Sequence, residues 1–272
     1  MASSYDPRND IDAVTSMVQE ASNLALRWFR QPLDVVNKLA GERAVGTDAA
    51  PFDPVTEADR AVEDALRTAL TDRFPDHEVL GEERGLTGSG DHRWIIDPID
   101  GTRAFITGQP LWGTLLGLRH GDAMLAGWLH NPVLGETYVG SEAGSFRIST
   151  DGAVRIATSS VTRLDQAVVL CTHPDLFAPG PESDGFARLD RATKMVRYSG
   201  DCMNYALLAS GFGDLVVENL LQSYDIAALI PIIEHAGGVI TGLDGGSAID
   251  GGYVVAAANA ELHAAALAVL NG

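Results

Sequence analysis

Hydrophobic positions along the 272-residue chain follow two rhythms. Near the start they recur every three to four residues. Ile11, Val14, Val18, Ala21, Ala25 and Trp28 predict a helix over residues 11–29, with Asp10 as its N-cap. Val62, Leu66, Leu70 and Phe74 mark the buried stripe of a second helix that begins near Thr56 and stops at Pro75. Between the two, residues 37–54 carry Gly41, Gly46, Pro51 and Pro54 in a polar, small-residue stretch that reads as a mobile loop. The rhythm then shortens to that of strands: 79–81, 93–96, a hairpin of 112–118 and 123–129 turning at His120-Gly121-Asp122, then 138–139 and 154–157 in the same antiparallel sheet.

From about residue 160 strands and helices alternate. Strands are expected at 168–171, 195–198, 215–217, 239–241 and 253–257, and helices at 186–192, 202–210, 226–236 and 260–270. Alternation of this kind implies α/β layering. The chain therefore divides into an α+β half, residues 1–158, and an α/β half, residues 159–272.

Composition narrows the function. Hydrophobic residues make up 46%, enough for a full core. The 19 Lys and Arg against 37 Asp and Glu give a net charge of −18, a field that repels nucleic acid and anionic lipid. No apolar run is long enough to span a membrane, and the acidic N-terminus lacks a signal-peptide core, so a cytoplasmic protein is expected. Cys171 and Cys202 form no C-x-x-C or Cys/His cluster, which disfavours zinc-ribbon and redox readings and a disulfide framework.

The acids themselves carry the chemistry. Residues 94–102 read W-I-I-D-P-I-D-G-T, an apolar run that ends in Asp97 and Asp100. Glu82 and Asp225 likewise adjoin apolar residues. A buried carboxylate is costly unless it is paired or binds a metal, and basic partners are scarce here. Oxygen ligands without His or Cys suit Mg²⁺. Pro98 bends the chain so that Asp97 and Asp100 can turn into one site, with the Ile99 carbonyl as a further ligand. Gly101 and Thr102 then open a helix whose free N–H groups suit an anion. Structural readings stand beside these. Asp97 and Asp100 can form an Asx-turn and a cap. Thr56 and Asp59 match a capping box, and Asp225 can cap the helix that follows it.

Taken in order, V-T-E-A-D (55–59), G-E-E (81–83), W-I-I-D-P-I-D-G-T (94–102) and Y-D-I-A-A-L-I-P-I-I-E-H-A-G-G (224–238) resemble the inositol monophosphatase family of Mg²⁺-dependent, lithium-sensitive phosphatases. The resemblance runs over about residues 11–270. The stretches 100–115 and 200–211 are most similar to its histidinol-phosphate phosphatase branch. The resemblance implies a layered α-β-α-β-α sandwich, of the inositol monophosphatase and fructose-bisphosphatase type, and a homodimer. It implies a first Mg²⁺ on Glu82, Asp97 and the Ile99 carbonyl, a second on Asp97, Asp100 and Asp225, and a weaker third that shares Glu82. It implies phosphate on the backbone at Gly101 and Thr102, water activation by Thr102 paired with Asp59, and a flap over the metals near residues 38–53. Tyr224 stands where many relatives have Trp, and His235 where E-A-G-G has alanine; both flank a ligand position.

The implied reaction is metal-assisted hydrolysis of a phosphate monoester, with no phospho-enzyme. Histidinol is a cationic alcohol, so acceptors or negative charge are expected beyond the phosphate: Asp201 and Asn204, one helical turn apart, and Glu218 at the end of strand 215–217. Asp201 has a helix cap as its structural alternative. Arg103 either steers phosphate or pairs with an acid. His130, His173 and His263 lack metal-ligand spacing, and Trp112 and Trp128 are expected to pack the hairpin. Inositol monophosphate or a phosphonucleotide is the alternative substrate, and a catalytically idle metal-binding scaffold is the competing class.

Overall fold

The structure is a computed structural model and describes residues 5–32, 36–37 and 54–272. The loop expected at 37–54, with the flap at 38–53, lies outside the described residues but for its two ends. In chain order the elements are α1 (Pro7–Ser22), β1 (Val36–Asn37), β2 (Pro54–Val55), α2 (Glu57–Arg73), β3 (Glu78–Gly81), β4 (Gly85–Thr87), β5 (His92–Asp100), α3 (Thr102–Ile106), β6 (Gly113–His120), β7 (Ala123–Asn131), β8 (Glu136–Ser141), β9 (Gly144–Ser149) and β10 (Gly152–Arg155). They continue as β11 (Val168–Cys171), α4 (Pro181–Ala192), β12 (Met195–Tyr198), α5 (Cys202–Ala209), β13 (Leu215–Leu221), α6 (Ser223–Ile226), α7 (Leu229–Glu234), β14 (Val239–Gly242), β15 (Gly252–Ala257) and α8 (Ala260–Asn271).

Two main sheets organise the described residues, beside an antiparallel pair of β1 and β2. One has eight strands in the order β10-β9-β8-β7-β6-β5-β3-β4, antiparallel throughout except for the parallel pair β3 and β5. The other has five in the order β12-β11-β13-β15-β14 and is mixed, with β11 parallel to both neighbours and β15 antiparallel to both of its own. Strand alternation sorts the side chains into layers. On one face of the large sheet Trp94, Ile96, Leu116, Leu118 and Trp128 pack with Val14, Val18, Leu66 and Leu70 of α1 and α2. On the other face Leu115, Leu129 and Tyr138 meet α5, α7 and one face of the small sheet. Val169, Val217 and Val255 close the far face of the small sheet against α4 and α8. The result is the α-β-α-β-α sandwich. Among the described residues no helix is long and apolar enough to cross a membrane.

Several local expectations are corrected. Asp10 is not the N-cap of α1: the helix starts at Pro7, and Asp10 in its first turn accepts the Asp6 N–H at 2.7 Å. Strand β13 does not stop at Val217 but runs to Leu221, so Glu218 lies inside it, ahead of a bulge in which Leu220 takes φ 66°. The helix expected at 226–236 is two, α6 and α7. Ala227 and Ala228 keep helical angles, but Pro231 has no N–H to give the Ala227 carbonyl, and the ladder breaks there. Strands β4, only three residues long, and β9 lie outside the expected strands.

The α6–α7 segment lies unusually close to the large sheet. Gly117, Gly127 and Gly140 are paired across β6, β7 and β8 in one row. A Cβ on Gly127 would sit 1.9 Å from the Ala228 carbonyl oxygen, and one on Gly140 2.4 Å from the Ile232 backbone. The row is a trough cut for the helix backbone, and that segment carries Asp225.

Candidate active site

Residues 97 and 100 are an odd number apart, so on a regular strand their side chains would leave opposite faces of the sheet. Strand β5 avoids this with a bulge. Asp97 pairs with Leu115 and Asp100 with Gly113, three steps on one strand against two on its partner. The extra residue returns Asp97 and Asp100 to one side. Pro98 gives the ladder no N–H; its carbonyl accepts the Thr114 hydroxyl at 2.8 Å. Asp97 Oδ1 accepts the Ile99 N–H at 3.1 Å, an Asx-turn that fixes the bulge. The Asx-turn reading and the site reading are therefore compatible.

Asp225 joins this pair from the other half of the chain. Among the described residues Asp97, Asp100 and Asp225 form a group whose carboxylate oxygens lie within 4.8 Å of one another. Asp97 is buried at 2% exposure. Burial, then the charges of Glu82, Asp100 and Asp225, push its carboxyl well above the usual range. Asp100 is raised for the same kinds of reason, first by burial and then by Asp201 and Asp225. Its Oδ2 accepts the Cys202 N–H at 2.6 Å, which ties β5 to the start of α5. Asp225 also closes a capping box with the Gln222 N–H at 2.6 Å. A cluster of like charges raised this far fits a hard divalent cation: the donors are all oxygen, and a cation would remove the repulsion.

Around the cluster, Gly101 takes φ 84° as the cap of α3, where a Cβ would meet the Leu111 carbonyl at 2.8 Å. Helix α3 has only five residues. The half-buried Thr102 donates its hydroxyl to the Ile99 carbonyl at 2.9 Å. Asp59 is buried and serves the capping box of α2, with its Oδ2 accepting the Thr56 N–H at 2.7 Å and the Thr56 hydroxyl at 2.6 Å. Desolvation still raises its carboxyl to about 6.

Beside Asp100 lies a second acidic group. Asp201 occupies the N-cap position of α5 without capping it, in a backbone conformation (φ 46°, ψ −133°) that side chains rarely adopt. Burial raises it to about 6, against the pull of the exposed Arg103. Glu218 is buried at 3% exposure and raised by burial to about 7. Its Oε1 accepts the Thr172 N–H at 3.0 Å, the Thr172 hydroxyl at 2.5 Å and the Asn204 amide at 3.4 Å, and its Oε2 accepts the Tyr205 hydroxyl at 3.2 Å. Asn204 is buried and turned toward Glu218. Thr172 also accepts the Asp201 N–H at 3.1 Å. Sequence reading passed over Thr172 and Tyr205, because a lone Thr after a strand and a Tyr within an apolar helix carry no local signal.

A model of the inositol monophosphatase family matches residues 6–271. The chain is 35% identical to a histidinol-phosphatase of Chlorobaculum parvum, over 97% of each chain. It is 36% identical to the chloroplastic bifunctional phosphatase IMPL2 of Arabidopsis thaliana, over 94% of this chain and 73% of that one. A solved inositol monophosphatase from Zymomonas mobilis superposes with a TM-score of 0.83 at 32% identity, over 99% of this chain and 100% of that one.

Proposed function

The chain belongs to the inositol monophosphatase family and is a phosphoric monoester hydrolase; from that premise we propose that its substrate is histidinol phosphate and its cofactor Mg²⁺, two or three ions per site. The observation that carries the reading is the convergence of Asp97, Asp100 and Asp225 from two distant segments, with the charge of Glu82 beside Asp97. Glu82, Asp97, Asp100, Asp225 and the Ile99 carbonyl would hold the ions. Bound there, a divalent cation supplies Lewis acidity toward water and positive charge toward the phosphoryl group.

The chain's own groups do the rest. Gly101 and Thr102 present backbone N–H groups to phosphate oxygens. Thr102 orients the attacking water, and Asp59, held near 6 by burial, accepts the proton released as oxygen bonds to phosphorus and the alkoxide leaves. Arg103, exposed beside Asp201, steers the phosphate inward or balances Asp201. Asp201 faces the leaving alcohol, while Glu218 and Asn204 stand behind it in one network. The buried Glu218 and the half-buried Asp201 favour a cationic alcohol over a neutral polyol. The strained backbone at Asp201 supports the same assignment, because strain of about 1–3 kcal/mol is retained where a side chain must be aimed. A homodimer with lithium-sensitive turnover is part of the proposal and rests on family resemblance.

The test is phosphate release by the purified protein from histidinol phosphate and inositol 1-phosphate, each with Mg²⁺ and with chelator. Mg²⁺-dependent turnover of histidinol phosphate, with KM raised in D201N, is the expected result. Preference for inositol phosphate would overturn the substrate and keep the site.

A further inference from the structure

The turn that carries Glu82 is gripped from beneath. Residues 82–84 join β3 to β4, and α2 runs under them. Glu63 of α2 is fully buried. Its Oε2 accepts the Glu83 N–H at 2.7 Å, and its Oε1 accepts the Arg84 N–H at 3.0 Å and Arg67 Nε at 2.7 Å. Arg67 completes the grip on the carbonyl side, donating to the Val79 carbonyl at 3.2 Å, to the Thr87 hydroxyl at 2.8 Å and to the Gly85 carbonyl. Gly81 is shaped to this clamp: a Cβ there would lie 2.1 Å from Glu63 Oε1.

Glu82 is pressed against like charge. Its N–H donates to the Ile96 carbonyl at 3.2 Å, which sets Glu82 beside Asp97, the next residue of β5. A loosely held turn would relieve that repulsion by swinging Glu82 outward. Backbone N–H groups held on a buried carboxylate oppose the swing, since releasing them leaves Glu63 an unsatisfied buried acceptor. We propose that Glu63, braced by Arg67 and admitted by Gly81, is a positioning residue that holds Glu82 at the cation site. The inference rests on the metal reading above. Glu63 does not touch the cation; it acts through the backbone of Glu83 and Arg84.

The experiment is Mn²⁺ binding, read as the loss of the free-ion signal in electron paramagnetic resonance, without substrate and well below the melting temperature of each variant. Glu63→Gln turns one acceptor oxygen into a donor facing an N–H. The expected result is a dissociation constant raised about ten-fold or more, the range found for groups that orient metal ligands, with kcat at saturating metal changed far less than the metal requirement. Arg67→Lys keeps the charge but loses the fork, and should weaken binding less, in the same direction; it serves if Glu63→Gln does not fold. Parent-like Mn²⁺ affinity in folded Glu63→Gln, or in Arg67→Lys alone, would overturn the positioning role even if melting temperatures drop. Absence of binding by the parent protein would overturn the metal reading itself and this inference with it.

Discussion

Replacing Asp97 by asparagine should stabilise the metal-free protein and abolish its stabilisation by Mg²⁺. The side chain is buried beside Asp100, Asp225 and Glu82, with oxygens of the first two within 4.8 Å. At an effective dielectric near 20, one such pair of charges repels by about 3.5 kcal/mol, a ceiling that protonation of the raised carboxyls reduces. Asparagine keeps the acceptor that Ile99 N–H uses and can donate to Glu82, so geometry survives while the charge is removed. A net gain of about 1–3 kcal/mol is expected without metal, or roughly 2–5 °C in Tm for a protein of this size. Mg²⁺ at 100 times its Kd would stabilise the parent by about 2.7 kcal/mol and D97N by almost nothing. Calorimetric melts with chelator and with Mg²⁺ measure both quantities. A metal-free D97N that melts below the parent, together with an undiminished Mg²⁺ shift, would refute the reasoning.

Three further outcomes follow from buried groups outside that cluster. Glu218, raised to about 7, binds a proton in the folded state that the unfolded chain releases above about 4.5, so its penalty grows as pH rises from 4.5 through 7, to about 3 kcal/mol; E218Q retains the Thr172 bonds and should flatten that part of a urea-unfolding pH profile. His130 has the opposite sign: burial lowers it to about 4, so stability present above 6.5 is lost as pH falls toward 4, by up to about 3 kcal/mol, and H130N should be less sensitive between pH 7 and 5. Gly127→Ala places a Cβ 1.9 Å from the Ala228 carbonyl. It should cost about 1–3 kcal/mol and, by lifting the segment that carries Asp225, shrink the Mg²⁺-induced rise in Tm.

Element type was legible wherever one face of an element is apolar. The α2 stripe of Val62, Leu66 and Leu70 and the β6–β7 hairpin are examples. Boundaries failed where a single backbone group decides. Pro231 withholds one N–H and splits a helix whose apolar pattern is continuous. The acids of the site could be listed from the sequence, since each ends or adjoins an apolar run. Their convergence was expected through the family resemblance and not from local pattern alone, because the bulge between Asp97 and Asp100 is a mismatch between two strands.

By itself, then, the sequence determined the layered α and β composition, the net charge of −18, and the oxygen-only donor set, because these depend on residue type and short-range spacing. Tertiary structure supplied the geometry by which the acids named through the resemblance meet, and the groups that hold them. Glycines at 117, 127 and 140 mean nothing until strand register sets them in one row under the α6–α7 segment. Thr172 and Tyr205 mean nothing until β11, α5 and β13 bring them to Glu218. Glu63 reads as an ordinary helix acid until α2 packs beneath the Glu82 turn. Each depends on contacts between segments far apart in the chain, and local pattern carries no record of such distances.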